Sequence, residues 1–146
     1  MNHMSFTVSD LDRSVAFYEF LGLSLVSKAD RDATFSARVT GIPGAELRIA
    51  YLRAPNCAVE LIQYLSPPGE RIDTRTCNVG SAHVCFIVDD FGEMIERLGG
   101  AGVRFPGEVS EVPAGPNFGR GVAYFEDPDG NTVEVISHRP LATRAE

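Results

Sequence analysis

HMSFTVSDLDRSVAFYEFLGL, residues 3–23, and HVCFIVDDFGEMIERLGGAGV, residues 83–103, are two versions of one plan. At a shift of 80 residues His3 meets His83, Phe6 meets Phe86, Val8 meets Val88 and Asp10 meets Asp90. Farther on Val15 meets Ile95, Gly22 meets Gly102 and Leu23 meets Val103. Self-similarity at a fixed period marks a structural unit used more than once. Each copy opens on a short alternating run, passes an Asp placed to cap a helix (Asp10, Asp90), and leaves through Gly. Leu11, Val15 and Tyr18 in the first copy, and Phe91, Ile95 and Leu98 in the second, give the i, i+4, i+7 stripe of a helix with one buried face.

A second match follows at a shift of 74: AVELI, residues 58–62, meets TVEVI, residues 132–136, and Glu60 falls on Glu134. Between the matched pieces lie further strand candidates, ATFSARVT (33–40) and ELRIAYL (46–52) in the first copy, GVRF (102–105) and GVAYFED (121–127) in the second. The predicted order is β-α-β-β-β, twice. In FEDPDGNTVEVIS, residues 125–137, the turn Asp127-Pro128-Asp129-Gly130 combines a fixed φ, a side chain that bonds nearby backbone N–H groups, and a residue tolerant of positive φ. The first module is assigned to residues 1–66 and the second to 82–139. The Pro-, Gly- and polar-rich stretch that ends at Ser81 supplies a linker over 67–81. Residues 140–146 have no apolar pattern and read as a loose tail.

The chain has 146 residues, with 44% hydrophobic and 23% charged side chains, ordinary values for a globular domain able to bury a core. A formal net charge of −7 argues against nucleic acid or an anionic membrane surface as partner. No apolar run reaches the roughly 18–20 residues of a membrane span, and MNHMSFTVSD lacks the basic and apolar regions of a signal peptide. Cys57, Cys77 and Cys85 form no CxxC or zinc-ribbon spacing, so reduced thiols in a cytoplasmic protein are the expectation.

The repeat puts His3 and His83 on equivalent first strands and Glu60 and Glu134 on equivalent last strands. Strand alternation aligns His3 with Ser5 and Thr7, opposite Met4, Phe6 and Val8, and aligns His83 with Cys85, opposite Val84, Phe86 and Val88. Glu60 and Glu134 are flanked by Val59 and Leu61 and by Val133 and Val135. All four polar groups therefore oppose the large apolar side chains, and they converge if two curved sheets pair about a pseudo-two-fold axis. One mid-strand Glu is ordinarily solvent-facing, and one strand His is ordinarily structural. The chain has three His in all, however, and two of them share a repeat position, as do two Glu. Two imidazoles and two carboxylates suit Zn²⁺, Ni²⁺, Co²⁺, Mn²⁺ or Fe²⁺ and leave positions open for substrate oxygens. Such an ion can chelate two neighbouring oxygens and stabilise an enediolate formed when Glu134 or Glu60 removes an α-proton. Ser5, Thr7 and Cys85 would line the pocket, Cys85 as a small buried hydrophobe. His138 has no repeat partner and reads as a surface residue, and GPNFGRG (115–121), which precedes a strand, reads as a flap.

Residues 3–136 resemble the vicinal oxygen chelate superfamily, the glyoxalase, bleomycin-resistance and dioxygenase group, most specifically in HMSFTVSDLDRSVAFYEFLGL, HVCFIVDD and DPDGNTVEVI. The resemblance implies an α+β fold of two βαβββ modules closing a cup-shaped half-barrel, usually a homodimer, with a divalent metal on His3, Glu60, His83 and Glu134. The His/Glu/His/Glu pattern is similar to that of glyoxalase I (lactoylglutathione lyase) and methylmalonyl-CoA epimerase. It implies a lyase or isomerase acting on a small carbonyl or thioester substrate. Glutathione-using members carry an Arg where this chain has Thr7. The alternatives within the same resemblance are a non-enzymatic, antibiotic-type small-molecule binding protein and an Fe(II) ring-cleavage dioxygenase, the latter resembling a pattern with His in place of Glu60.

Overall fold

The computed structural model describes residues 1–141, which fall into two compact units divided between Ile72 and Asp73. The first contains β1 (Met4–Thr7), α1 (Leu11–Phe20), β2 (Ser24–Arg31), α2 (Ala33–Thr40), β3 (Glu46–Arg53) and β4 (Ala58–Ser66). The second contains β5 (Val84–Val88), α3 (Phe91–Gly100), β6 (Ser110–Glu111), β7 (Arg120–Glu126) and β8 (Thr132–Pro140). The sheet orders are β1-β4-β3-β2 and β5-β8-β7-β6, the same arrangement twice. In each sheet the first strand runs parallel to the last and the remaining pairs are antiparallel. Two four-stranded mixed sheets and three helices make the chain α+β, as expected.

The repeated helices form for the reasons their sequences suggest. Asp10 accepts from Arg13 N at 3.0 Å and Asp90 from Glu93 N at 2.8 Å, each satisfying an otherwise orphaned N–H of the first turn. At the exits Leu23 N donates to Tyr18 O and Val103 N to Leu98 O, across Gly22 and Gly102 at positive φ. Helix α1 buries Leu11, Ser14, Val15 and Tyr18 against β3 and β4. Helix α3 buries Phe91, Met94 and Leu98; Ile95, predicted for that stripe, is half-buried, and Met94 takes its place. Tyr18, Leu52, Leu61, Phe125, Val133 and Val135 are among the most deeply buried side chains, each contributing about 1.5–3 kcal/mol of burial.

Two strand expectations are corrected. ATFSARVT is helix α2, because Asp32 accepts from Phe35 N at 2.7 Å and Gly41, at φ 72°, closes the helix in the left-handed conformation. The strand predicted there is supplied instead by Ser24–Arg31, which pairs with β3. GVRF is not a strand either. Its Arg104 carbonyl accepts from Glu126 N at 3.0 Å, its guanidinium meets Glu126 Oε2 at 2.7 Å, and the edge strand is the two-residue β6. Leu65 and Ser66 complete β4, and Pro140, read as the start of the tail, is the last residue of β8. Leu141, also assigned to the tail, donates its N–H to Gly119 O at 2.7 Å, and 142–146 lie outside the described residues.

Gly121 in β7 lets α3 approach the second sheet closely. A Cβ there would lie 2.6 Å from Phe91 Cε1 and 2.7 Å from Cδ1, and Phe91 is only 7% exposed. Gly121→Ala is expected to cost about 2 kcal/mol and roughly 4–8 °C in thermal midpoint, because a packed ring cannot step aside freely. Phe91→Leu in the same chain should recover part of that loss in a thermal-melt double-mutant cycle; simple additivity would refute the clash.

Candidate functional site

In the first unit, parallel pairing sets Ser5 across from Glu60, and antiparallel pairing sets Tyr51 on Glu60's other side. Pairing residues point to the same face, so His3, Ser5, Tyr51 and Glu60 share one. His3 Nε2 lies 3.3 Å from Glu60 Oε2, and its Nδ1 lies 2.8 Å from Asn2 Oδ1. The His3 and Tyr51 rings meet edge-on, with centroids 5.6 Å apart at 79°. Glu60 is 7% exposed. A hydrogen bond to Glu60, then burial and the carboxylate's charge, hold the Tyr51 phenol above its ordinary range.

The second unit repeats this arrangement. Cys85 and Tyr124 flank Glu134 across β5 and β7. His83 Nε2 lies 3.1 Å from Glu134 Oε2, and the His83 and Tyr124 rings meet edge-on at 5.2 Å and 85°. Partial burial first, and then the Glu134 carboxylate, push the Cys85 thiol up to about 12, so it carries no thiolate at neutral pH. The Tyr124 phenol is raised by burial and by Glu134.

The structure thus joins the predicted residues in pairs, His3 with Glu60 and His83 with Glu134. Ser5 and Thr7 are exposed on the face that His3 occupies. Cys85 is an exposed residue and not the small buried hydrophobe expected, although its thiol is partly shielded beside Glu134. All three cysteines are free thiols. His138 is an exposed residue whose Nδ1 lies 3.2 Å from Asp89 Oδ1. GPNFGRG is a hydrogen-bonded hairpin connection between β6 and β7, in which Gly119 N donates to Val112 O and Phe118 N to Gly115 O.

Among the described residues no three His, Cys, Asp or Glu side chains gather in a metal-binding cluster; each unit presents one nitrogen and one carboxylate donor. That chemistry fits a divalent ion. With the proton of His3 on Nδ1, shared with Asn2, the Nε2 lone pair faces Glu60, an arrangement that a cation between nitrogen and oxygen would stabilise. Asn2, Tyr51 and Tyr124 are absent from the sequence-derived candidates. The signal for the tyrosines was the recurrence of Ala50-Tyr51-Leu52 as Ala123-Tyr124-Phe125, one strand before each Glu.

The duplicated sheets, each with its His–Glu pair, point to one class of protein. A model of the Glyoxalase/Bleomycin resistance protein/Dioxygenase superfamily matches residues 1–135. The chain belongs to that superfamily, the vicinal oxygen chelate group. It is 32% identical over 143 residues to a 2-epi-5-epi-valiolone epimerase of an Actinomyces species, covering 94% of this chain and 78% of the relative. It is 30% identical over 145 residues to a lactoylglutathione lyase of Arabidopsis thaliana, where the match covers 94% of this chain and 44% of that protein. The chain therefore spans less than half the length of the plant lyase. A crystal structure of a glyoxalase family protein from Bacillus cereus superposes with a TM-score of 0.80 at 29% identity, covering 94% of this chain and 92% of that one. No helix among the described residues is long and apolar enough to cross a membrane.

Proposed function

We propose that this chain is a divalent-metal-dependent lyase or epimerase that moves a proton on the carbon beside a carbonyl. His3, Glu60, His83 and Glu134 are the ligand set, and Ser5, Thr7 and Cys85 line the substrate pocket. The observation that carries this reading is the recurrence of a His–Glu pair, 3.3 Å in one unit and 3.1 Å in the other, at equivalent strand positions. In both copies the pair stands on the face that carries a tyrosine ring edge-on to the imidazole. Relatives whose names are epimerase and lyase support the same class.

His3, Glu60, His83 and Glu134 would hold a divalent ion, which would supply Lewis-acid stabilisation of the charge that develops as the proton leaves. The residues do the rest. A carboxylate, Glu134 in the first instance, takes the α-proton while the C–H electron pair moves onto the carbonyl system. Returning the proton to the opposite face of the same carbon is epimerisation; returning it to the adjacent carbon is isomerisation. Thr7 stands where glutathione-using members place Arg, which favours a small 2-hydroxy ketone or other compact carbonyl compound over a glutathione adduct.

The test is solvent deuterium exchange by metal-loaded protein against simple 2-hydroxy ketones, the glutathione–methylglyoxal adduct and methylmalonyl-CoA. Metal-dependent incorporation at the α-carbon of one of them is the expected result. Substoichiometric metal that does not rise on reconstitution, with no exchange on any substrate, would replace the enzyme reading with that of a binding protein.

A further inference from the structure

Parallel strands cannot share a hairpin, so no tight turn fixes their register. Each unit contains one such pair, β1 with β4 and β5 with β8, and each pair carries a candidate His and Glu. In the first unit the pair is tied just past the end of β1. Gln63 in β4 accepts from Leu11 N at 3.2 Å through Oε1 and donates to Ser9 O at 3.0 Å through Nε2. Ser137 holds the equivalent place in β8, but its hydroxyl accepts from Gly121 N and donates to Arg139 O. The far end of the β5–β8 pair carries instead the exposed contact between His138 and Asp89.

The second unit has a tie at the opposite end. Part-buried Thr74 donates its hydroxyl to Gly130 O at 2.6 Å. Gly130 lies in the turn that opens onto β8, and Thr74 lies in the segment that runs on to His83 and β5. That segment, read from the sequence as linker, is braced internally. Arg75 donates from Nε and Nη2 to the Asp73 carboxylate at 2.9 and 2.6 Å, and Asn78 Nδ2 donates to Asp73 O at 3.1 Å. Backbone bonds continue from Asn78 N to Arg75 O and from Ser81 N to Asn78 O. The hold at Thr74 therefore passes through successive bonds to Ser81, just ahead of His83.

We propose that Thr74 is a positioning residue, whose hydroxyl clasps the entry of β5 to the entry of β8 and so keeps His83 in reach of Glu134. The geometry it maintains is the parallel register that sets Cys85 beside Glu134, with His83 Nε2 3.1 Å from Glu134 Oε2. A slip of one residue in that pair would carry Glu134 out of line with His83 and Cys85. The effect on proton transfer rests on the reading of Glu134 as the base; the effect on the His83–Glu134 geometry does not.

The experiment compares Thr74→Val, which keeps the shape and loses the donor, with Thr74→Ser, which keeps the donor. Thr74→Ala, which loses the donor without adding a methyl, runs in parallel in case valine prevents folding. Exchange of α-protons is measured on the substrates above at saturating Zn²⁺. The imidazole C–H signals of His3 and His83 are followed by proton NMR in the metal-free proteins, assigned with His3→Ala and His83→Ala. Thr74→Val is expected to lower kcat about tenfold with KM within about twofold, since small misplacement of a base is costly while substrate binding is kept. It should move the His83 signals and leave those of His3 in place, and Thr74→Ser should restore both readouts. Unchanged His83 signals in Thr74→Val and Thr74→Ala, or equal losses in Thr74→Ser, would overturn the proposal. Wild-type protein that exchanges no substrate would instead sink the proton-transfer reading, and the His83 signals would then decide the clasp alone.

Discussion

Glu134→Gln is expected to slow α-proton exchange by about a thousandfold or more, within the range that a positioned general base contributes. The substitution keeps the side chain's length and an oxygen that can still face a cation, and it removes the basic electron pair. Glu134 is suited to the role by place. It sits mid-strand in β8 with Val133 and Val135 packed into the core on either side, so backbone and neighbours aim it at the open face. Its Oε2 lies 3.1 Å from His83 Nε2, and Cys85 and Tyr124 stand on either side of it in the sheet. Metal affinity should fall as well, because a neutral amide is a poorer ligand than a carboxylate. The discriminating measurement is therefore kcat at saturating metal. If loss of metal were the whole effect, excess ion would restore turnover; if Glu134 carries the proton, it will not. A folded Glu134→Gln protein that keeps both its metal and its exchange rate would falsify the assignment.

What could be read in advance followed from local signals used twice. Asp10 and Asp90 each lie one residue before a helix that begins on an apolar side chain, and both cap as their chemistry requires. The Glu60 and Glu134 strands were legible because a repeat match needs no knowledge of contacts. Helix α2 was misread for an instructive reason. Thr34, Phe35, Val39 and Thr40 are strand-favouring side chains, yet Asp32 and Gly41 bracket them with a complete pair of caps. Capping at both ends outweighed propensity within the segment. GVRF was misread because its one backbone bond to Glu126 is a tie and not a ladder. Tyr51 and Tyr124 could not be found by sliding the chain at a single shift: they recur at 73 residues, whereas their Glu partners recur at 74. Their significance lies in register, set by turns that differ in length between the two hairpins.

The turn before Glu134 sets that register, and Asp127→Ala is expected to be the most damaging substitution for stability, at about 3 kcal/mol. Asp127 is 4% exposed, and its Oδ1 accepts from Asp129 N at 2.9 Å and Asn131 N at 2.8 Å. Its Oδ2 accepts from Asn131 Nδ2 at 2.9 Å. Alanine leaves these donors without their acceptor in a part-buried turn, at a cost of about 1–3 kcal/mol for each that water cannot reach. Asp127→Asn should be much milder, because the amide oxygen can take over the two backbone bonds and only the Asn131 side-chain contact is lost. The pH dependence separates charge from hydrogen bonding. Burial, the largest influence, holds the Asp127 carboxyl above its ordinary 3.8, although its hydrogen bonds pull the other way. A folded-state pKa above the unfolded one means that the native chain holds more proton, so this group's contribution is full below 3.8 and is lost as pH rises through the folded value. Asp127→Asn carries no such proton, so its deficit relative to wild type should be greatest in acid and should narrow as pH rises through that window. Urea denaturation at stepped pH reads this directly. A gap that instead widens with rising pH would mean that the carboxylate's charge stabilises the turn, and that the hydrogen bonds outweigh its burial.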